Sequence, residues 1–267
     1  MIVIRGGGDL ATGVALRAHH AGFNVVITEL KQPLAVRRTV SFSEAIYDGE
    51  VTIEEVIGQA AMADEITRLQ LEKKIPVLID PEAQVLASLH DAGKRIVVDA
   101  RMTKHPPSSL SIQPDLLIGL GPGFHAGENC DAVIETRRGH TLGRVYWKGT
   151  VETDTKTPEG DPRRVLRAPV NGVVIGYKNI ADHCETGDLI AEMISDTSPG
   201  SRVKISAPIK GVLRGLIHPG ISVTKDTKIG DIDPRNDPSY CLLVSDKALA
   251  VGGGVLEAIL TRFGTSE

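Results

Sequence analysis

The chain has 267 residues, a net charge of −4 and 41% hydrophobic residues, with aromatics at only 3%. A chain of this length holds more than one average domain, and its core must be built from Val, Ile, Leu and Ala. The acidic balance excludes a nucleic-acid footprint, which needs a basic face, and no block of like charge marks a membrane-surface patch.

The opening stretch MIVIRGGGD lacks the basic and apolar regions of a signal peptide. No run approaches the ~18 apolar residues of a membrane-spanning helix. Cys130, Cys184 and Cys241 are too far apart for a disulfide framework or a zinc spacing. A cytoplasmic protein without a metal site is expected.

Ile2-Val3-Ile4 reads as a short buried strand. Leu10, Ala11, Val14, Ala15 and Ala18 then recur at helical spacing, and Gly22 closes that helix. A second strand covers Asn24 to Thr28, with Glu29 at its end. Gly6, Gly8 and Ala11 fit the alanine-ended dinucleotide fingerprint. Gly6 and Gly7 form the turn, Gly8 admits a pyrophosphate, and the helix N-terminus faces the anion. Glu29 stands about 20 residues on, where a carboxylate meets a ribose hydroxyl. The competing reading is a sharp strand-to-helix turn that binds nothing. Asp9 is placed to cap the helix, yet its charge faces any pyrophosphate; Lys31, Arg37 and Arg38 are placed to offset it.

The pattern continues with a strand at 75–80, a helix from Glu82 to His90 closed by Gly93, and a strand at 95–99. A further strand at 115–119 runs into a second glycine turn, Gly119 to Gly123. Alternating strands and helices predict a parallel, doubly wound sheet. Its ligands would sit beyond the carboxyl ends of the strands, which puts Glu29, Asp80, Asp99, Arg101, Gly121 and His125 on one edge.

Next comes a loop crowded with His125, Glu128, Cys130 and Asp131. Strands at 132–136 and 144–147 follow, joined by the turn Arg137-Arg138-Gly139-His140. Cys130 is a candidate nucleophile or soft ligand, with His125 or His140 as proton acceptor. Equally, a free cysteine is often a small buried hydrophobe. Arg138 is a candidate anion contact, against a solvated hairpin tip.

Residues 1–150 thus form a Rossmann-like domain, and the charged, proline-bearing stretch 151–164 reads as a linker. Residues 165–240 repeat internally: RAPVNGVVIG at 167–176 returns as SAPIKGVLRG at 206–215. The 39-residue offset implies two related β halves. The GDLIA and ISAPIKGVL strings resemble the biotinyl/lipoyl barrel-sandwich domain, whose carrier forms hold a modified lysine on the hairpin between the halves. Here that hairpin, 195–201, has no lysine, so a structural or docking role is expected instead. Residues 245–267 read mostly as a helix capped by Ser245 or Asp246 and packed on the first domain. The expected class is α/β, a Rossmann-like sheet plus a small all-β module.

Nearly the full chain also resembles the YqeB-like accessory family associated with selenium-dependent molybdenum hydroxylases. The stretches RGGGDLATGVALR, GLGPGFHAG, IETRRGHTLGRV and DKALAVGGGVLEAIL carry the resemblance. It implies a bacterial maturation protein whose partner is a molybdenum hydroxylase, and it assigns no catalytic residues. Three functions remain open: an accessory protein binding a pyrophosphate-bearing cofactor, molybdopterin dinucleotide above all; an NAD(P)-dependent oxidoreductase; and a scaffold with an empty glycine turn.

Overall fold

A computed structural model describes residues 1–89, 93–152, 160–197 and 200–264. The chain divides into two compact units. The first comprises Met1–Pro33, Ser41–Asp154 and Val244–Glu267; the second comprises Leu34–Val40 and Thr155–Leu243.

In the first unit, β1 (Ile2–Arg5) leads through the glycine turn into α1 (Asp9–His20) and returns as β2 (Val25–Glu29). Then come α2 (Ala45–Asp48), β3 (Glu50–Ile53), β4 (Val56–Ala60), α3 (Ile66–Leu71) and β5 (Ile75–Ile79). The strands β6 (Ile96–Asp99), β7 (Leu116–Leu120), β8 (Ala132–Ile134) and β9 (Val145–Tyr146) complete a nine-stranded sheet. Its order is β3-β4-β5-β2-β1-β6-β7-β8-β9. All neighbours pair in parallel except β3 with β4 and β8 with β9 at the two margins. The lateral path of the chain reverses between β1 and β6, the point where open sheets of this kind form a crevice.

Fewer helices cross the sheet than the sequence pattern predicts. The expected helix from Glu82 to His90 is a 3-10 stretch, Gln84–Ser88, with Ala83 in the left-handed region; His90 lies outside the described residues. Asp80 sets this short form by accepting the Gln84 and Val85 N–H groups at 2.9 and 2.8 Å. Residues 100–115, between β6 and β7, contain no helix at all. The strand expected at 132–136 stops at Ile134. There the buried Glu135 turns its carboxylate onto the N–H groups of Arg137 and Glu152.

Cover for the sheet comes instead from the far end of the sequence. α4 (Asp246–Phe263) packs on α1 and on β7, β8 and β9. Ser245 caps it by accepting the Ala248 N–H at 3.2 Å. A β-carbon on Gly13 would collide with the Ala248 backbone, and one on Gly252 would lie 2.6 Å from the Gly13 carbonyl. The core is aliphatic, with Phe42 and Phe124 its largest buried side chains. Each rests on a strand glycine, Phe42 on Gly58 and Phe124 on Gly119.

The second unit holds β10 (Val165–Arg167), β11 (Gly172–Gly176), β12 (His183–Cys184), β13 (Leu189–Ser195), β14 (Arg202–Ser206), β15 (Gly211–Leu216), β16 (Ser222–Val223) and β17 (Lys228–Asp233). They form two four-stranded antiparallel sheets, β10-β17-β15-β12 and β14-β13-β11-β16. Advancing each of β10 to β13 by four converts one sheet into the other, which is the sequence repeat made visible. Asp231, fully buried, meets Arg164 and Arg214, and Asp233 meets Arg214 and Arg235. Burial raises the Asp233 carboxyl, but hydrogen bonds from Arg235 and the charges of Arg214 and Arg235 overcome it and hold the group at about 2.

Among the described residues, no helix is long and apolar enough to cross a membrane.

Candidate functional site

Parallel pairing sets Arg5, Thr28 and Asp99 abreast at the carboxyl ends of β1, β2 and β6. The chain then leaves β1 through three glycines that differ in what they require. Gly6 has φ +91° and donates its N–H to the Thr28 carbonyl at 2.7 Å. Gly7 leaves room for the chain's own residues: a β-carbon there would lie 2.8 Å from the Ser43 nitrogen, which donates to the Gly7 carbonyl at 2.9 Å. The Thr12 hydroxyl accepts the neighbouring Phe42 N–H at 3.0 Å, so the segment 42–43 is fastened over the turn.

Gly8 has neither constraint. Its φ of −70° and ψ of −176° suit any residue, and nothing lies within 4 Å of the missing β-carbon. It is the N-cap of α1, its carbonyl accepting the Thr12 N–H at 2.8 Å. Asp9 is the first helical residue, and its carboxylate accepts the Leu10 N–H at 3.0 Å. Ala11 is buried, as close packing of helix on sheet requires.

Glu29 turns toward the glycines. One carboxylate oxygen accepts the Gly7 N–H at 2.7 Å and the other the Leu30 N–H at 2.7 Å. Burial pushes this carboxyl above its ordinary range, and the two N–H groups pull against that. A carboxylate has about four acceptor positions, so two stay available to hydroxyl donors.

On the other side of β1, Asp99 is 2% exposed and serves two guanidinium groups. Arg101 grips it with two side-chain bonds of 2.9 and 2.6 Å, and Arg5 reaches it at 3.3 Å. Arg5 also donates to the Pro81 carbonyl at 2.9 Å. Burial lowers the Arg5 pKa while Asp99 raises it again. Asp99 is therefore a counterion within this edge. The sequence marks it only as an acid at a strand end; nothing local shows that Arg5, also 2% exposed, shares it.

Gly121, with φ +97°, follows β7 on the same edge. From there the chain doubles back. Asp131 and Leu117 exchange hydrogen bonds at 2.9 and 2.7 Å, which returns the loop to the start of β7. His125 lies on this return path, fixed by its N–H donating to Asn129 at 2.7 Å. Its Nδ1 sits 3.3 Å from a Glu128 carboxylate oxygen. Cys130 lines a 460 Å³ cleft shared with Arg5, Asp99 and Phe124. It packs among Phe124, Ala126, Val133 and Val151. Burial and the charge of Asp131 push its thiol up to about 12, so at neutral pH the sulfur keeps its proton and lacks thiolate nucleophilicity.

His140 is exposed and borders a different hollow, with Arg144, Tyr146 and Glu257. The structure therefore does not bring His140 into the cleft of Cys130. Arg138 makes a two-bond fork with Asp246, at 2.6 and 2.8 Å, and ties the β8–β9 turn to the start of α4. Arg37 and Arg38 serve the second unit. Arg37 donates to the Tyr240 and Leu243 carbonyls and Arg38 to that of Leu216.

No family model matches the chain. Among solved structures, similar ones include a succinylglutamate desuccinylase/aspartoacylase from Rhodobacter sphaeroides. It is 15% identical, covers 29% of this chain and 24% of that one, and has a TM-score of 0.26. An aspartoacylase family protein from Mesorhizobium loti is 12% identical over 56% of this chain and 60% of that one, with a TM-score of 0.27. Scores this low carry no argument about fold or activity. Sequence likeness is much stronger. The uncharacterized protein YqeB of Escherichia coli K12 is 42% identical over 265 residues, 97% of this chain and 47% of the relative. The chain spans about half the length of that curated relative and is its homologue.

Proposed function

We propose that this chain is an accessory protein in the maturation of a selenium-dependent molybdenum hydroxylase and binds a pyrophosphate-bearing cofactor at the carboxyl edge of its Rossmann-like sheet. Molybdopterin dinucleotide is the favoured ligand. The observation that carries the reading is Gly8, at the N-terminus of α1, where neither backbone conformation nor any neighbouring atom calls for glycine. The open space there fits a phosphate approaching the first N–H groups of the helix, and Glu29 is placed for the ribose hydroxyls. In this reading the second unit, with its two related β halves and no lysine on the 195–201 hairpin, is a biotinyl/lipoyl-like docking module.

A second reading has its own observation. Glu29 already holds the Gly7 N–H, as expected of a scaffold whose turn is satisfied internally. Thermal unfolding of the full chain with NAD, NADP, FAD, CTP and molybdopterin dinucleotide separates the alternatives. A ligand at 100 times its dissociation constant adds about 2.7 kcal/mol. Stabilisation by the pterin dinucleotide, lost in Gly8→Asp, is the expected result. Stabilisation by NAD or NADP alone would make the protein an oxidoreductase candidate, and no response to any of the five would favour the scaffold.

A further inference from the structure

The 460 Å³ cleft that Cys130 lines has no part in the reading above; Gly8 and Glu29 are not among the described residues that border it. It opens on the face of the sheet that carries Leu117, opposite the face of Leu116 and Ile118. A crossover helix from β6 to β7 would cover that face in a fully wound sheet. Here residues 100–115 form no helix, and Pro107 to Leu110 border the cleft instead.

Charge is divided between its two ends. At one end a single carboxylate, Asp99, serves both Arg5 and Arg101, so the trio carries one positive charge in excess. Glu82, 3.8 Å from Arg5, is 66% exposed, and solvent screens it; Asp80 acts on Arg5 more weakly still. The Arg5 side chain is 2% exposed, yet its Nε has no hydrogen-bond partner among the described residues. A buried donor in that condition calls for an acceptor. At the other end Asp131 spends one oxygen on the Leu117 N–H, which leaves the second to the cleft. Glu128 stands at the mouth, 71% exposed and beside His125. Between the ends the lining is Leu110, Leu117, Phe124 and the Cys130 sulfur.

Spacing gives the shape of the occupant. Arg5 reaches over to Asp99 on β6, and Asp131 precedes β8, two strands further on. At about 4.8 Å per strand the two ends are about 10 Å apart. We propose that this cleft binds a small zwitterion whose carboxylate and ammonium groups are joined by an extended apolar stem, the carboxylate on Arg5 and the ammonium on Asp131. A phosphate or dicarboxylate would set negative charge against Asp131 and Glu128. The adjacent charges of glycine are too close together to meet both ends. The site is separate from Gly8, and the inference does not rest on the cofactor reading.

The test is calorimetric titration of the full chain with ε-aminocaproate, caproate, hexylamine and glycine, in wild type, Asp131→Asn, Arg5→Gln, Ser109→Trp and Gly8→Asp. Circular dichroism checks that each variant stays folded. ε-Aminocaproate is expected to bind about tenfold more tightly than caproate or hexylamine, and glycine is expected not to bind. Asp131→Asn keeps an oxygen for the Leu117 N–H and loses the charge, so it should erase the advantage of ε-aminocaproate without weakening caproate. Arg5→Gln should weaken both; if that variant unfolds, Asp131→Asn decides alone. Ser109 is exposed and borders the cleft, so Ser109→Trp should fill it and abolish binding, while Gly8→Asp should change nothing. Equal affinities for ε-aminocaproate and caproate in wild type, or no binding of ε-aminocaproate, would overturn the proposal. So would an advantage that survives Asp131→Asn or Ser109→Trp, or one that is lost in folded Gly8→Asp.

Discussion

The tripeptide Gly-Gly-Gly occurs twice in this chain, at 6–8 and at 252–254, and its two copies solve different problems. At 252–254, inside α4, the first and third glycines let backbones touch: Gly252 faces the Gly13 carbonyl and Gly254 the Gly143 carbonyl. At 6–8, Gly6 supplies a left-handed turn and Gly7 a seat for Ser43. Each triplet also contains one glycine with open space around it, Gly253 in one and Gly8 in the other. An unexplained glycine is thus not by itself a sign of ligand binding. What separates Gly8 is its address: the N-terminus of a helix, the carboxyl edge of a parallel sheet, and a turn that Glu29 holds through Gly7.

Substitutions break or sharpen this comparison, and the largest effect belongs to the edge that carries the first triplet. Asp99→Ala leaves the buried Arg5 guanidinium without its counterion, and a loss of about 3–5 kcal/mol is expected in urea unfolding. Gly254→Ala forces a methyl group onto the Gly143 backbone and should cost about 1–3 kcal/mol. Its neighbour should behave oppositely. Gly253→Ala meets nothing and improves helix propensity, so a gain of about 1 kcal/mol is expected. Gly8→Ser replaces one acceptable N-cap by another, with a stability change of a few tenths of a kcal/mol, yet the side chain fills the space assigned to phosphate and should weaken nucleotide binding. If Gly8→Ser and Gly253→Ala both leave binding untouched, the two open glycines are equivalent and Gly8 loses its special standing.

A separate, pH-dependent effect is expected in the second unit, which has no glycine triplet. Asp233 is held at about 2 when folded, below the roughly 3.9 of an unfolded aspartate. Its contribution is complete above the unfolded value and is lost as pH falls from about 4 to about 2, because the unfolded chain takes up the proton first. The melting temperature of Asp233→Asn should therefore fall less steeply with acid than that of the wild type.

Much of this was legible in the sequence, for reasons that can be located. The unit β1–α1–β2 is short-range: apolar runs of strand length flank a helical stripe, and the three residues 6–8 can only be a turn. The β module is legible because duplication repeats its code, so β10 to β13 predict β14 to β17. Residues 30–74 were not legible. The β3–β4 turn is made by Glu54 and Glu55 with φ of 45° and 72°, positions that normally advertise themselves with Asn or Gly. The fastening of Ser43 over Gly7 depends on Phe42 finding Gly58, a long-range fit without local signal. At the candidate site, the strand-end positions of Glu29, Asp99 and Gly121 were readable. The sharing of Asp99 with Arg5, and the partners of Arg138 and Cys130, were not, because each comes from a distant or folded-back segment.

The packing of α4 against α1 also fixes an order of events. Residue 20 and residue 246 are separated by 226 positions in the chain, which a ribosome adding about 5–20 residues per second crosses in roughly 11–45 seconds. Throughout that interval the first helix exists without its partner, and Gly13 faces whatever else is present. A released chain ending at residue 240 should leave α1 open to protease, and a released chain ending at residue 264 should protect it. α1 is completed by a helix made 226 positions later, so this unit closes only after that stretch has been synthesised, and its early helix is a natural client for a chaperone.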